Sequence, residues 1–161
     1  MKRIVLLAAI ICSSMMVLQS CSPKGTNTTV KRGNITGSWV LNDITFEGVP
    51  QSAVKSLFDE GPHTCFIGST WRLTNSGNGT YTLPGGSNCA AKTQNIYWSA
   101  SPADQTFQFK KLNEGEKARD ISSGYRTVLA SADGNTMVIK SPVEYGSGAA
   151  YIVLNFSKAA N

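Results

Sequence analysis

The stretch "YRTVLASADGNTMVIKS", residues 125–141, decides the fold class of this sequence. Two runs rich in apolar and β-branched residues, 125–131 and 136–141, flank the tetrapeptide "ADGN". Asp133 and Gly134 together are a strong hairpin signal, because a tight two-residue turn between strands needs residues that tolerate positive φ. The stretch therefore predicts two antiparallel β-strands joined by a short turn.

The same alternation of short strands and turn residues extends from Gly37 to the end of the chain. Eight strands are predicted, over residues 37–46, 65–74, 79–83, 93–99, 105–112, 125–131, 136–141 and 151–157. A change of phase near Asn42 and Asp43 indicates a bulge in the first strand. Consecutive strands of this kind remove their free edges by closing. We therefore expect an all-β, up-and-down, eight-stranded antiparallel barrel, with an open sandwich as the alternative.

One segment has a different period. In residues 50–61 the apolar residues Val54, Leu57 and Phe58 are spaced i, i+3, i+4, between a leading proline and a closing glycine. This spacing predicts one short helix after the first strand.

The N-terminus has the pattern of an export signal. Lys2 and Arg3 precede an apolar run over residues 4–18, which is too short to span a membrane as a helix. The following "LQSC" resembles the lipobox of bacterial lipoproteins, which implies cleavage before Cys21 and lipid attachment (palmitate) at that cysteine. We expect a signal peptide over residues 1–20, a lipidated cysteine with a flexible tether over 21–34, and a barrel domain over 35–161. A secreted protein without lipid is the alternative.

Composition and charge exclude some function classes. The formal net charge of the chain is +5, and the 15 basic residues are scattered rather than clustered with aromatic residues, so we expect no nucleic-acid partner. An exported protein meets an oxidising compartment, where Cys65 and Cys89 are expected to form a disulfide, although two unpaired buried cysteines remain possible. These cysteines with the single His63 make a poor metal-ligand set, so we expect no metal and no cofactor.

Several of these features occur together in one known family. Gly37 and Trp39 form a Gly-x-Trp at the start of the first strand, and Cys65, Trp71 and Cys89 bracket the second hairpin. The chain resembles lipocalin (calycin) barrels, and more closely the lipocalin-like lipoproteins of Bacteroidetes, over about residues 35–158. The resemblance implies an outer-membrane lipoprotein; the lack of acidic residues after Cys21 favours a periplasm-facing one. In lipocalins an Arg from the last strand packs over the Gly-x-Trp tryptophan. Here the last strand offers only Lys158, and Arg126 lies two strands earlier, so the sequence does not place this cation–π contact.

The resemblance also implies a small hydrophobic ligand inside the barrel. The candidate ligand-binding residues are large inward aromatics: Trp39, Trp71, Tyr81, Trp98, Phe107 and Phe109. Ile67 and Val153 are expected on the same inward face. The alternative is that these side chains fill the barrel as its core. Sequence alone leaves both open.

Catalysis is not expected. His63 follows Asp59 and Glu60 closely enough for acid–base chemistry, but "DEGPH" reads as a solvated turn, and no other histidine is present. We therefore assign no catalytic residue and no enzyme activity. Two further function classes stay open: a periplasmic protein-binding or lysozyme-inhibitor-like module acting through residues 113–124 or 143–151, with no partner named, and a structural envelope lipoprotein.

Overall fold

The computed structural model describes residues 30–160, so the expected signal peptide, Cys21 and most of the tether lie outside the described residues. Eight strands follow one another in a single closed antiparallel barrel: β1 (Gly37–Glu47), β2 (Thr70–Leu73), β3 (Asn78–Leu83), β4 (Lys92–Ser101), β5 (Thr106–Leu112), β6 (Tyr125–Ala132), β7 (Thr136–Tyr145) and β8 (Gly148–Lys158). Pairing of β1 with β8 closes the ring. This is the up-and-down architecture of lipocalin-like barrels, and it confirms the expected fold class.

The hairpin that decided the fold class is present. Gly134 has a φ of +101°, and the Asp133 carboxylate accepts hydrogen bonds from the backbone N–H groups of Asn135 and Thr136 at 2.8 and 2.7 Å. The expected bulge in β1 is also present, as a shift of register between Leu41 and Asp43 where β1 pairs with β8. The hairpin turn and the bulge therefore both form where the sequence predicted them.

The segment expected to be a short helix after β1 is only partly helical. A single 3₁₀ turn covers Gln51–Ala53, and Val54 already has extended dihedral angles. Phe58 and Asp59 then adopt left-handed φ values of 51° and 52°, which no α-helix accepts. Leu57 and Phe58 are buried because the chain folds into the barrel end, not because they share a helix face.

Three other details differ from the sequence-based expectation. The start of the second predicted strand is a 3₁₀ helix, His63–Phe66, and Ile67 is 41% exposed instead of facing inward. In β8 the residues of the interior cluster are Ile152, Leu154 and Phe156, so Val153 lies out of phase. The strands β7 and β8 extend to Tyr145 and from Gly148, which reduces the expected glycine-rich loop to a tight turn.

The two ends of the barrel are closed differently. At the lower end, a 3₁₀ turn over Arg32–Asn34 packs under the strands: the Arg32 guanidinium lies 4.9 Å from the centroid of the Trp98 ring, and the Asn34 amide donates to the Ala132 carbonyl. Residues 32–34, just before the expected start of the barrel domain at Ile35, therefore contact the base of the barrel. At the upper end, the β1–β2 connection, residues 48–69, folds over and into the mouth of the barrel.

The cation that sequence could not place is Lys158. Its ammonium nitrogen lies 4.3 Å from the centroid of the Trp39 ring and donates to the Thr36 carbonyl at 2.6 Å. The lipocalin-type pairing of the Gly-x-Trp tryptophan with a last-strand cation is thus present, with lysine as the cation. Within the described residues, no helix has the length and apolar character needed to cross a membrane.

Candidate functional site

The barrel interior holds the aromatic residues that the sequence nominated as ligand-binding. All six are at most 2% exposed: Trp39, Trp71, Tyr81, Trp98, Phe107 and Phe109. Trp71 stacks on Tyr81 with 4.9 Å between ring centroids, and Phe109 meets Trp71 edge-on at 5.5 Å. In this conformation the rings contact one another, so the interior is occupied by its own side chains.

These rings fall into groups at different heights in the barrel. Trp71, Tyr81 and Phe109 lie together toward the mouth, whereas Trp98 and Phe107 stack on each other lower down at 5.8 Å. Trp39 lies at the lower end, where its indole Nε1 donates to the Ile35 carbonyl at 2.7 Å. Trp39 therefore closes the base, and the upper group forms the wall nearest the mouth.

Phe58 completes the upper group, although it comes from the β1–β2 connection and not from a strand. Its ring meets Phe109 edge-on at 4.9 Å, Tyr125 at 5.1 Å, Phe66 at 5.7 Å and Trp71 at 6.3 Å. The side chain is 6% exposed. The sequence predicted Phe58 in a short helix after β1; the structure places it as a plug inside the mouth.

The backbone that carries Phe58 is strained. Phe58 and the following Asp59 both have left-handed φ, which costs a bulky residue such as phenylalanine about 1–3 kcal/mol. The N–H of Leu57 donates to the Gly61 carbonyl at 2.9 Å and closes the turn. We call Phe58, Asp59 and Glu60 the 58–60 turn. Its conformation is maintained by contacts of all three side chains with the barrel.

Glu60 is held by three donors from the barrel strands. Its carboxylate accepts a hydrogen bond from the Tyr81 hydroxyl at 2.7 Å and lies 2.9 Å from the ammonium groups of both Lys92 and Lys111. Burial by itself raises the pKa of this carboxyl, but the bonds from Lys92, Tyr81 and Lys111 outweigh burial and lower the pKa to about 2. Burial and the bond to Glu60 raise the pKa of the Tyr81 hydroxyl.

Asp59 is held by Tyr125 of β6, next to Lys111, which binds Glu60. The Tyr125 hydroxyl lies 2.8 Å from the Asp59 carboxylate and 2.9 Å from the Phe58 carbonyl oxygen, either of which can accept its proton. The Lys111 ammonium also donates to the Phe58 carbonyl. Burial, followed by the bond to Asp59, raises the pKa of Tyr125. Side chains of strands β5 and β6 therefore form hydrogen bonds with the backbone of the turn as well as with its side chains.

His63 does not pair with either acidic residue. It is 7% exposed, packs edge-on against Phe46 at 4.9 Å, and accepts a hydrogen bond from the Gln51 side-chain amide at 3.1 Å. Burial lowers its pKa, which favours the neutral ring. Among the described residues its Nδ1 has no hydrogen-bond partner. The geometry serves packing of the β1–β2 connection, and Asp59 and Glu60 are engaged elsewhere.

The disulfide between Cys65 and Cys89 is present, as expected from the sequence. It joins the β1–β2 connection to the β3–β4 connection, residues 84–91, at the upper end of the barrel. The β1–β2 connection, which is continuous with β1 and β2, is thus also covalently tied to the β3–β4 connection.

Two of the pockets formed by residues 30–160 lie outside the aromatic interior. A polar pocket of about 520 Å³ opens at the mouth, next to the 58–60 turn. Its lining combines that turn with strand residues and the β5–β6 connection: Asp59, Glu60, Lys92, Gln94, Lys111, Asn113, Glu116, Asp120, Ile121, Ser122 and Ser123. The mouth is therefore polar above the buried rings.

The second pocket, which we call the outer groove, has a volume of about 480 Å³ and lies between the outer face of β4–β6 and the β5–β6 connection. Its lining includes three cations, Lys110, Arg119 and Arg126, and no carboxylate. Lys110 fixes the connection by donating to the carbonyls of Ala118 and Ile121 at 3.1 and 2.5 Å. Sequence reasoning did not find this groove, because its residues come together only when three strands and a loop meet.

These features define a closed, lipocalin-like barrel with an aromatic interior. Its upper end is covered by the β1–β2 connection, which a disulfide ties to the β3–β4 connection. No family model matches the sequence, and no curated protein matches it. Among solved structures, apocrustacyanin C2 matches with 14% identity and a TM-score of 0.47 over 83% of this chain and 66% of that one. Lobster apocrustacyanin A1 matches with 14% identity and a TM-score of 0.46 over 81% and 64%. The chain spans just under two thirds of those proteins.

Proposed function

We propose that this protein binds a small hydrophobic molecule inside the upper half of its barrel, as a lipoprotein anchored through Cys21 to the periplasm-facing side of the outer membrane. The observation that carries the binding proposal is the position of Phe58. An eight-stranded barrel has room for its own side chains or for one small ligand. Here the ring nearest the mouth comes from a connecting segment, so it can leave without opening any strand pair.

The proposed binding step is an exchange of Phe58 for the ligand. The strained left-handed backbone at Phe58 and Asp59 lowers the free energy needed to withdraw the turn. The vacated space is bounded by Trp71, Phe109 and Tyr125, which offer aromatic faces and edges to an apolar molecule. Affinity then depends on how often the turn is withdrawn, because a ligand binds only the fraction of molecules that are open.

The test is binding of the neutral apolar dye N-phenylnaphthylamine, followed by fluorescence, to the wild type and to Phe58→Ala. If Phe58 competes with the ligand, its removal tightens dye binding about tenfold or more. Ile67→Ala is the matched control, since Ile67 belongs to the same connection but is exposed. It should leave the affinity unchanged.

Two results would contradict the binding proposal. One is the absence of dye binding to either the wild type or Phe58→Ala while circular dichroism shows an intact barrel. The other is equal affinity of Phe58→Ala, Ile67→Ala and the wild type, which would place the dye outside the barrel.

The anchoring proposal has its own test. In Cys21→Ala the acylated residue is gone, so the protein should move from the membrane fraction to the soluble fraction of the cell envelope. Ser22→Ala, next to it, is the control and should stay with the membrane. Retention of Cys21→Ala in the membrane fraction would contradict the lipoprotein assignment.

A second candidate function, binding of a protein partner, is favoured by the outer groove. The groove presents three cations, of which Arg119 lies 3.5 Å from the Asp120 carboxylate, and Tyr97 presents a 39% exposed ring beside them. This surface fits an acidic segment. A photo-crosslinking residue at Tyr97, with one at the exposed Tyr145 as control, tests this in cells. A discrete adduct at position 97 alone supports this function; the same pattern at both positions contradicts it.

A further inference from the structure

We infer that the 58–60 turn occupies the mouth as a built-in competitor for the ligand, and that the ligand replacing it is an amphiphile with an apolar body and a single carboxylate head. This inference rests on the proposed function and adds a ligand class to it. It follows from the fact that one short turn places an apolar ring and a carboxylate on two separate, matching parts of the barrel.

The apolar body of the ligand would bind where the Phe58 ring now lies. Its ring lies edge-on to Phe109 and Tyr125, with centroid distances of 4.9 and 5.1 Å, which is the arrangement that aromatic pairs prefer. Phe109 and Tyr125 belong to the strands β5 and β6 and stay in place when the turn moves. The space they bound suits any apolar group of comparable width.

The carboxylate of the ligand would bind where the Glu60 carboxylate now lies. The three donors belong to three successive strands: Tyr81 to β3, Lys92 to β4 and Lys111 to β5. Strand positions keep them together whether or not Glu60 is present. Lys111 has an ammonium group whose side chain is only 22% exposed, next to the aromatic interior.

Withdrawal of the turn leaves these donors without their acceptor. A partly buried ammonium group and a buried phenol hydroxyl without partners are unfavourable, so a wholly apolar ligand would fill the ring space but leave the polar one unsatisfied. A carboxylate on the same ligand restores the bonds made by Glu60. The barrel thus discriminates in favour of an acid over the corresponding neutral molecule.

The other charged groups around the mouth limit where the head can lie. Asp59 faces Tyr125, while Glu116 and Asp120 line the outer part of the polar pocket and would repel an anion there. The Gln94 amide already donates to the carbonyls of Asn95 and Leu112. The carboxylate is therefore placed at Tyr81 and Lys111, deep in the mouth.

The test compares dodecanoate with dodecanol as competitors of N-phenylnaphthylamine on the full-length protein. The wild type should bind dodecanoate about tenfold more tightly than dodecanol, the preference expected from one charge-assisted hydrogen bond. Glu60→Gln should tighten dodecanoate further, because it weakens the built-in competitor. Lys111→Met should abolish the preference.

Matched controls come from a lysine–glutamate pair on the outer surface. Lys140 and Glu47 lie 2.8 Å apart on β7 and β1, away from the mouth. Lys140→Met and Glu47→Gln should leave both affinities unchanged. Tyr81→Phe, which removes a single hydroxyl, gives a reduced preference even if Lys111→Met fails to fold.

The outcomes separate the two proposals. Equal affinities for acid and alcohol in the wild type, unaffected by Lys111→Met or Tyr81→Phe, would overturn the ligand class while leaving apolar binding intact. Failure of both competitors and of the dye to bind, in the wild type and in Phe58→Ala, would overturn the proposed function and this inference together.

Discussion

A Cβ atom on Gly37 would lie 2.5 Å from the ammonium nitrogen of Lys158, closer than two such atoms can approach. Gly37 also has a φ of +123°, a value that side chains rarely allow. The glycine at the start of β1 therefore leaves the space in which Lys158 reaches across to the ring of Trp39. The first and last strands of the barrel are joined at the base by this contact as well as by their backbone pairing.

Loss of the Lys158 cation should destabilise the barrel. Lys158→Met is expected to lower the free energy of unfolding by about 1–2 kcal/mol, because a cation–π contact and a hydrogen bond to the Thr36 carbonyl are lost. Urea denaturation followed by tryptophan fluorescence measures it. Lys140→Met removes an outer-surface cation and should cost less than about 0.5 kcal/mol; an equal loss in both variants would refute the role given to Lys158.

The 3₁₀ turn before β1 should protect Trp98. Arg32 covers the Trp98 ring at 4.9 Å and donates to the Asn75 carbonyl at 3.2 Å. Arg32→Ala should increase quenching of tryptophan fluorescence by acrylamide and lower the free energy of unfolding by about 0.5–1 kcal/mol. The exposed Arg119→Ala is the control. Unchanged quenching in Arg32→Ala would show that the turn does not cover the base in solution.

Stability should fall at acidic pH through Glu60. Its pKa in the folded protein is about 2, below the ordinary 4.5, so its contribution is fully present above pH 4.5 and is lost as the pH falls from 4.5 toward 2. Glu60→Gln should lower the free energy of unfolding at neutral pH by on the order of 2 kcal/mol and flatten this acid dependence. Urea denaturation across this pH range, with the exposed Glu144→Gln as control, measures it; identical pH curves for wild type and Glu60→Gln would contradict the assignment.

Protonation of His63 should also lower stability as the pH falls, beginning at a higher pH than protonation of Glu60. Burial lowers its pKa from the ordinary 6.5, so its stabilising contribution is present above pH 6.5 and decreases as the pH falls below that value. His63→Gln should remove the pH dependence of stability that begins below pH 6.5. Persistence of that dependence in the variant would assign it to another group.

The disulfide should stabilise the β1–β2 connection more than it stabilises the barrel strands. Replacing Cys65 and Cys89 together with serine removes a crosslink between residues 24 apart and should cost about 3 kcal/mol. Amide hydrogen exchange should accelerate most in residues 48–69 and least in β7 and β8. If hydrogen exchange accelerated equally over the whole barrel, the disulfide would stabilise the entire fold and not the β1–β2 connection in particular.

The period-two pattern was sufficient to predict the strand number, the closed barrel and the inward position of the six aromatic residues, because alternation alone determines which side of a strand is buried. It failed where apolar residues are consecutive. Ile152, Val153 and Leu154 follow one another, so the sequence contains no phase information at this point.

The 58–60 turn could not be foreseen for a different reason. The spacing of Val54, Leu57 and Phe58 fits a helix as well as it fits an inserted turn, and left-handed φ at Phe58 has no sequence signal when the residue is not glycine. The partners of Glu60 are 21 and 32 residues away at Tyr81 and Lys92. Only closure of the barrel brings them together.

The most direct test of ligand binding is native mass spectrometry of the protein isolated from the cells that produce it, compared with Phe58→Ala. The account predicts an additional small mass that leaves on denaturation, present at higher occupancy in Phe58→Ala. The apo mass alone in both proteins, with neither binding an added apolar dye, would contradict it and make the barrel a filled scaffold.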